Sequence, residues 1–256
     1  MPNQRSSLGF RPPTPVVRWT LIVLGVTFVA FAVAVRVSPA MADLYRALVL
    51  DPTMVLRGDR PWTLLTYALL HSLTEPQHLL FNAIGLYFFA PDLEELWGWR
   101  RFLLFTLAAA LAGGLFVLGA AAVGLRAAPV VGASGVVLGS VVAWGLTFRD
   151  REMMFFFVRM RGLTLVWVTL GFEVLNAISL SEGVSAAAHF GGMAVGAAYV
   201  LGRGGALRRA WLRLRLRHLE SDGRRPTPPT ARRGGPPLRI IHGGGDEPPK
   251  DKRYLN

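Results

Sequence analysis

The chain of 256 residues contains no cysteine. That removes disulfide scaffolds, thiol nucleophiles and cysteine-based zinc sites from consideration. Charge is scarce as well: Asp, Glu, Lys and Arg make up 17% of the residues, where a soluble domain carries roughly 25%. Lysine is almost missing, with 2 of the 28 basic residues; this usage, with abundant Ala and Gly, suggests a GC-rich bacterial genome. Apolar residues fill the gap, at 52% of the chain and a mean hydropathy of +0.39. Runs near the length needed to cross a ~30 Å hydrocarbon layer recur, so the expected class is an all-α polytopic membrane protein.

The net charge of +12 invites a nucleic-acid reading, but its distribution argues against one. From Gly204 onward there are thirteen Lys/Arg and five Asp/Glu, so the tail holds +8 of the +12. Basic residues beside a last membrane span serve topology and attraction to anionic lipid headgroups. No nucleic-acid-binding fold accompanies them. The domain division expected is a cytoplasmic tail over 1–15, a six-span domain over 16–203 and a basic, Pro/Gly-rich tail over 204–256. Within that last tail, 207–220 reads as an amphipathic helix or an extended segment, and the part beyond Ser221 as disordered.

Six crossings are expected: Val16–Val35, about Gln77–Leu96, Phe102–Leu125, about Val130–Phe148, Leu163–Leu180 and about Val184–Leu201. The first lacks a small-residue cleavage site and is too long for a signal-peptide core, so it reads as an anchor. Arg5, Arg11 and Arg18, Arg100 and Arg101, the 149–161 arginines and those from Arg203 onward mark one side of the membrane. Between the third and fourth spans stands Arg126 alone, and between the fifth and sixth lies Glu182. By the bias of Lys/Arg toward the cytoplasm, both termini are cytoplasmic. The stretch from Arg36 to Pro76 is then external, with short apolar segments suited to interfacial or half-inserted structure.

In this frame His78, Asn82, Ser134 and His189 fall at one depth, within ~8 Å of the outer boundary at 1.5 Å rise per residue. Polar and ionisable groups inside a span are functional candidates. A hydroxyl and an imidazole are what nucleophile and general base require. Ser134 follows Gly132, and a helix starting near there aims unpaired N–H groups at the hydroxyl. His78 and Asn82 share a face at i,i+4. Gly135, Gly139, Ser185, Ala188, Gly192 and Gly196 permit close approach of the fourth and sixth spans, which would bring Ser134 to His189.

These residues resemble a known family. Gly132-Ala133-Ser134-Gly135 is similar to the GxSG motif of the rhomboid intramembrane serine proteases. His78-Leu79-Leu80-Phe81-Asn82 is similar to their HxxxN motif, Ala188-His189-Phe190-Gly191-Gly192 to their sixth-span histidine motif, and Arg60–Thr66 to their first external loop. The resemblance covers about residues 16–203. It implies a six-transmembrane-helix rhomboid-like bundle and a Ser134–His189 dyad with no acidic third member. It implies oxyanion stabilisation by His78, Asn82 and the Ser134 N–H, with Gly132 and Gly135 as motif support. Substrates implied are single-span membrane proteins; no metal or other cofactor is implied. The chain departs from the pattern at Leu138 and Ser185 and in the spacing of His71 from His78.

The same residues admit other readings. A GxSG-like run can simply pack helices, and His78 and Asn82 can cross-link them. His71 reads as interfacial. Glu173, in the outer half of the fifth span, reads as reaching polar partners at the rim, the alternative being contact with His189. No HExxH accompanies the histidines, which disfavours a metalloprotease, and shallow, weakly charged polar groups disfavour a transporter. The competing function is a catalytically inactive rhomboid-like scaffold that binds transmembrane segments; intact Ser134 and His189 weigh against it. Oligomeric state leaves no mark in the sequence.

Overall fold

The computed structural model describes residues 12–125, 128–155, 158–178 and 183–203, and most of what it describes is helical. Arg126, Leu180, Glu182 and the tail beyond Arg203 lie outside the described residues. The expected amphipathic and disordered stretches of the tail, and the first eleven residues, therefore have no structural counterpart to set beside them.

Each expected crossing has a helix: α1 is Pro15–Val37, α5 Pro76–Trp97, α6 Trp99–Ala122, α7 Ser134–Thr147, α8 Gly162–Ile178 and α9 Gly183–Arg203. By length and composition, α1 and α6 are long and apolar enough to cross a membrane. Between α1 and α5 lie short helices α2 (Pro39–Leu48), α3 (Pro52–Leu56) and α4 (Thr63–Thr66), then a 3-10 turn over Tyr67–Leu69. Proline stands in the first turn of α1, α2, α3 and α5, where its fixed φ suits the helix and its missing N–H leaves no bond unmade. Gly98, with φ +80°, makes the one-residue turn between α5 and α6.

α7 is the axis. Ten of its fourteen residues are buried, among them Val136, Val141 and Trp144, as expected of a helix that is apolar all round. It packs against α5, α8 and α9, while α9 also packs on α6. α1 is peripheral, with Val17 and Leu24 its buried side chains. Its start is fixed by Glu94 of α5, which accepts hydrogen bonds from the Val16 N–H at 2.9 Å, the Val17 N–H at 3.0 Å and the Thr14 hydroxyl at 2.5 Å. A buried carboxylate on the free N–H groups of a helix start meets both the unpaired donors and the positive dipole end.

Three differences from the sequence expectation matter. The fourth helix begins at Ser134 rather than near Val130, because Val130 forms an antiparallel bridge with Leu50. The third ends at Ala122 rather than at Leu125, the turn being made at Val123 and Gly124. The arginine-bearing connection after α7 is an antiparallel hairpin, β1 (Glu152–Phe155) with β2 (Val158–Arg161), in register Glu152↔Arg161 and Met153↔Met160.

The α7–α9 contact is backbone on backbone. A Cβ at Gly135 would fall 2.8 Å from the Ala188 carbonyl oxygen, and one at Gly139 would fall 2.6 Å from that of Gly192. A Cβ at Gly192 would collide with the Gly135 backbone. Gly192→Ala is therefore expected to cost about 1–3 kcal/mol through overpacking and to lower the thermal midpoint in detergent. A Cβ added at Gly25 would meet nothing within 4 Å, so Gly25→Ala should leave the midpoint unchanged or raise it slightly. Equal midpoints for the two variants would mean that α7 and α9 are not this close.

Candidate active site

The stripe of small residues sets α7 and α9 at a distance where a serine and a histidine side chain can meet. Ser134, the first residue of α7, has its Oγ 2.7 Å from Nε2 of His189 on α9. Residues 130–133 approach α7 in non-helical conformation. The Val130 N–H donates to the Leu50 carbonyl at 2.8 Å, and the Gly132 N–H donates to that of Tyr67 at 3.0 Å. Gly132 has φ +122°, a conformation that L side chains rarely adopt. Ser134 thus presents its hydroxyl at a helix N-terminus whose first N–H groups have no intrahelical acceptor.

His78 and Asn82 come to the same place from α5. A Cβ on Gly132 would fall 2.7 Å from Cε1 and Nε2 of His78 and 3.8 Å from Nδ2 of Asn82. Glycine at 132 is therefore needed for space as well as for its backbone angle. Asn82 is buried and donates one amide N–H to the His78 carbonyl at 3.0 Å, which leaves its second N–H for another acceptor. The ordered set Ser134, His189, His78 and Asn82 is brought together around Gly132, and Gly135 lies at the α7–α9 contact.

The segment before α5 closes the site from one side. Tyr67 is buried and its hydroxyl donates to the Ala110 carbonyl of α6 at 2.9 Å. Burial pushes its phenol above the ordinary range. Gly113 and Gly114 of α6 make room for Tyr67 and Leu64. The sequence signal for this docking is the pair of glycines in an apolar helix, which the expected site residues did not include. The segment is also tied to itself, with the Trp62 Nε1–H donating to the Ala47 carbonyl at 2.9 Å and the Thr66 hydroxyl to that of Leu48 at 2.8 Å.

Two residues stand elsewhere than expected. Glu173 does not turn to the rim: it is 5% exposed, and its Oε2 lies 2.7 Å from His189 Nδ1. The reason is packing, since α8 lies against both α7 and α9 and turns residue 173 toward the latter. Asn176, one turn on, places Nδ2 3.5 Å from Glu173 Oε1. His71, expected to be interfacial, is buried within the protein, at 1% exposure, and packs edge-to-face on His78 with ring centroids 5.2 Å apart. Leu138, at the departure from the family pattern, packs on the small cluster of Val142, Val166 and Met193. Among the described residues no group of three or more His, Asp or Glu is disposed to hold a metal ion.

A model of the rhomboid domain matches residues 58–205 of the chain, a stretch that takes in all of these side chains. The chain belongs to the rhomboid family. In the plant Arabidopsis thaliana, RHOMBOID-like protein 12, mitochondrial, is similar to it, at 29% identity over 157 residues. That match covers 55% of this chain and 46% of the plant protein, so it spans about half the length of that relative. Rhomboids are embedded in membranes, which accords with the apolar composition of this one. The matched residues begin after α1, α2 and α3, so those three helices of this rhomboid stand outside the family model.

His71 gives this rhomboid an acid-sensitive element in the segment that closes the site. Neither ring nitrogen has a hydrogen-bond partner among the described residues. Burial first, and then neighbouring His78, bring its pKa down from 6.5 to about 4. The folded protein keeps His71 neutral while the unfolded chain protonates it, so this contribution to stability is complete above pH 6.5 and is lost as pH falls toward about 4. His71→Phe removes two buried polar atoms without partners. Its thermal midpoint at pH 8 is expected to equal or exceed that of the wild type, with a flatter decline between pH 6.5 and 4. An unchanged acid slope in the variant would assign the loss to other groups.

Proposed function

We propose that this rhomboid is a serine endopeptidase acting within the membrane, cleaving the transmembrane segments of single-span membrane proteins. The observation that carries the reading is the 2.7 Å approach of the Ser134 hydroxyl to His189 Nε2. A nucleophile in reach of its base is the minimal constellation for acyl transfer. The Ser134 oxygen bonds to the peptide carbonyl carbon while its proton passes to Nε2, and the carbonyl π pair becomes an oxyanion. The N–H groups at the start of α7 receive that charge, and the His78 and Asn82 side chains beside Gly132 are placed to add donors. Collapse of the intermediate breaks the C–N bond as Nε2 returns the proton to the leaving amine. Water then attacks the acyl ester with His189 again as base, releasing the second product and restoring Ser134.

The membrane arrangement belongs to the same proposal. α1, α5, α6, α7, α8 and α9 are the six crossings, with both termini and the α7–α8 hairpin in the cytoplasm, as the arginines of that hairpin favour. The fourteen residues of α7 rise only about 21 Å, short of a ~30 Å hydrocarbon layer. Residues 130–133 complete the crossing, and non-helical backbone at that depth is tolerated where protein acceptors and donors satisfy it. Ser134 then lies a short way below the external surface, where water can reach it. The setting is the plasma or inner membrane of a bacterium, with the basic tail against anionic lipid.

Purified protein in liposomes should cleave a single-span reporter. Ser134→Ala and His189→Ala should each slow this by at least about 10⁴-fold, as loss of a nucleophile or base does in serine proteases. A fluorophosphonate should label the wild type at Ser134 and leave the alanine variant unlabelled. Cleavage that persists in Ser134→Ala would place the chemistry elsewhere. Wild-type protein that neither cleaves nor labels would instead be a binding scaffold.

A further inference from the structure

We propose that Glu173 is a positioning residue for this chemistry, orienting His189 and offsetting the positive charge that the ring acquires as Ser134 attacks; the inference rests on the serine-endopeptidase reading of the site. Two features of the molecule support it independently. The first is geometry: Ser134 Oγ, both ring nitrogens of His189 and Glu173 Oε2 form one chain with two links of 2.7 Å. The three residues come from three helices, α7, α9 and α8, so no local motif forces the alignment. The second is cost. Glu173 is 5% exposed and is the one charged residue of α8, and an isolated carboxylate there is expensive. Among the described residues, His189 is the basic side chain within ion-pair distance of it, and Asn176 supplies a longer polar contact at 3.5 Å.

The chemistry follows from the donor inventory. An ionised carboxylate only accepts, so beside Glu173 the neutral imidazole carries its proton on Nδ1 and leaves the Nε2 lone pair for the Ser134 proton. With the opposite tautomer, Nε2 would be a donor and useless as a base. When Nε2 takes the serine proton, the ring becomes an imidazolium whose Nδ1–H already points at the buried Glu173 carboxylate. Glu173 keeps its electrons and gains no proton in the cycle. Its part is to hold the tautomer and face the charge. A mere tether between α8 and α9 would need only a hydrogen-bond acceptor of the same shape.

Glu173→Gln separates these roles, since it keeps the shape and an acceptor oxygen but removes the charge and admits the wrong tautomer. In liposomes, cleavage of the single-span reporter by Glu173→Gln should show kcat reduced by about 10²-fold or more, with KM within about threefold of wild type. The second-order rate of fluorophosphonate labelling at Ser134 should fall in parallel, because it reads the nucleophile without the peptide substrate. Labelling carried to its end point counts folded sites, so rates are compared per competent molecule even where the variant folds poorly. Glu173→Asp, which restores the carboxylate on a shorter stem, should label faster than Glu173→Gln. If Glu173→Gln cleaves and labels at wild-type rates while Ser134→Ala and His189→Ala are inactive, Glu173 is only a packing residue and the endopeptidase reading stands. If Ser134→Ala still cleaves, or wild type fails to label, that reading falls and this inference with it.

Discussion

Two helices meet here backbone to backbone at their glycines. Along the α7–α9 contact, glycines at 135 and 139 face Ala188 and Gly192 so closely that an added Cβ would sit well inside van der Waals distance of a carbonyl oxygen. In a lipid environment the hydrophobic effect gives helices little reason to associate, so van der Waals packing of small residues carries the contact. Everything at the site depends on that spacing. A serine side chain is short, with one heavy atom beyond Cβ, and a 2.7 Å link to an imidazole on another helix requires backbones about as near as they can come. The same glycines that hold the bundle together therefore set the reach of the nucleophile.

A second constraint acts at the end of α7. Were the helix to begin near Val130, Ser134 would sit inside the first turns, with its N–H pointing toward an intrahelical carbonyl. The bridge of Val130 to Leu50 and the bond from the Gly132 N–H to the Tyr67 carbonyl hold residues 130–132 out of the helix. The start falls on Ser134 itself, and the free N–H groups of the first turn lie beside its hydroxyl. The long segment between α1 and α5 is thus part of how the site is made rather than a cover laid over it. Its anchors, Tyr67 on Ala110 and Leu64 against Gly114, reach into the α6 surface.

Hydropathy makes α1 and α6 legible, since runs of twenty apolar residues have few other fates, and the motif residues are legible because a hydroxyl, an imidazole and an amide stand out in apolar helices. The start of α7 is not. Val130 and Val131 are as apolar as the helix that follows, and only a partner eighty residues earlier, Leu50, turns them aside. The hairpin after α7 is hidden in the sequence for a related reason, because Met153, Met154 and Met160 give no clear two-residue alternation. His71 reads as interfacial, and its burial within the protein comes from tertiary packing against His78. Glu173 stands out as an acid in a largely apolar helix, yet nothing in one sequence says which way residue 173 of α8 faces. That direction is fixed by the contacts of α8 with α7 and α9.

α5 shows how the polar residues are divided between two tasks. Its N-terminal turns carry His78 and Asn82 against Gly132, just before α7 begins. Near its other end, Asp92 accepts from the Trp144 indole N–H at 2.8 Å and pairs with Arg151 at 2.7 Å, just past the end of α7. Phe89 packs edge-on against the same Trp144 ring, at 5.5 Å between centroids. One helix is therefore set against another at both ends, by close packing of His78 and Asn82 on Gly132 at one and at the other by the Asp92 contacts, of which the bond from buried Trp144 would be costly to leave unmade. Between them, Gly85 lets α5 ride directly on Val137. Sliding α5 along α7 to relieve any one contact would break the others, so the position of His78 and Asn82 relative to Ser134 is set by the far end of the helix pair as much as by the site itself.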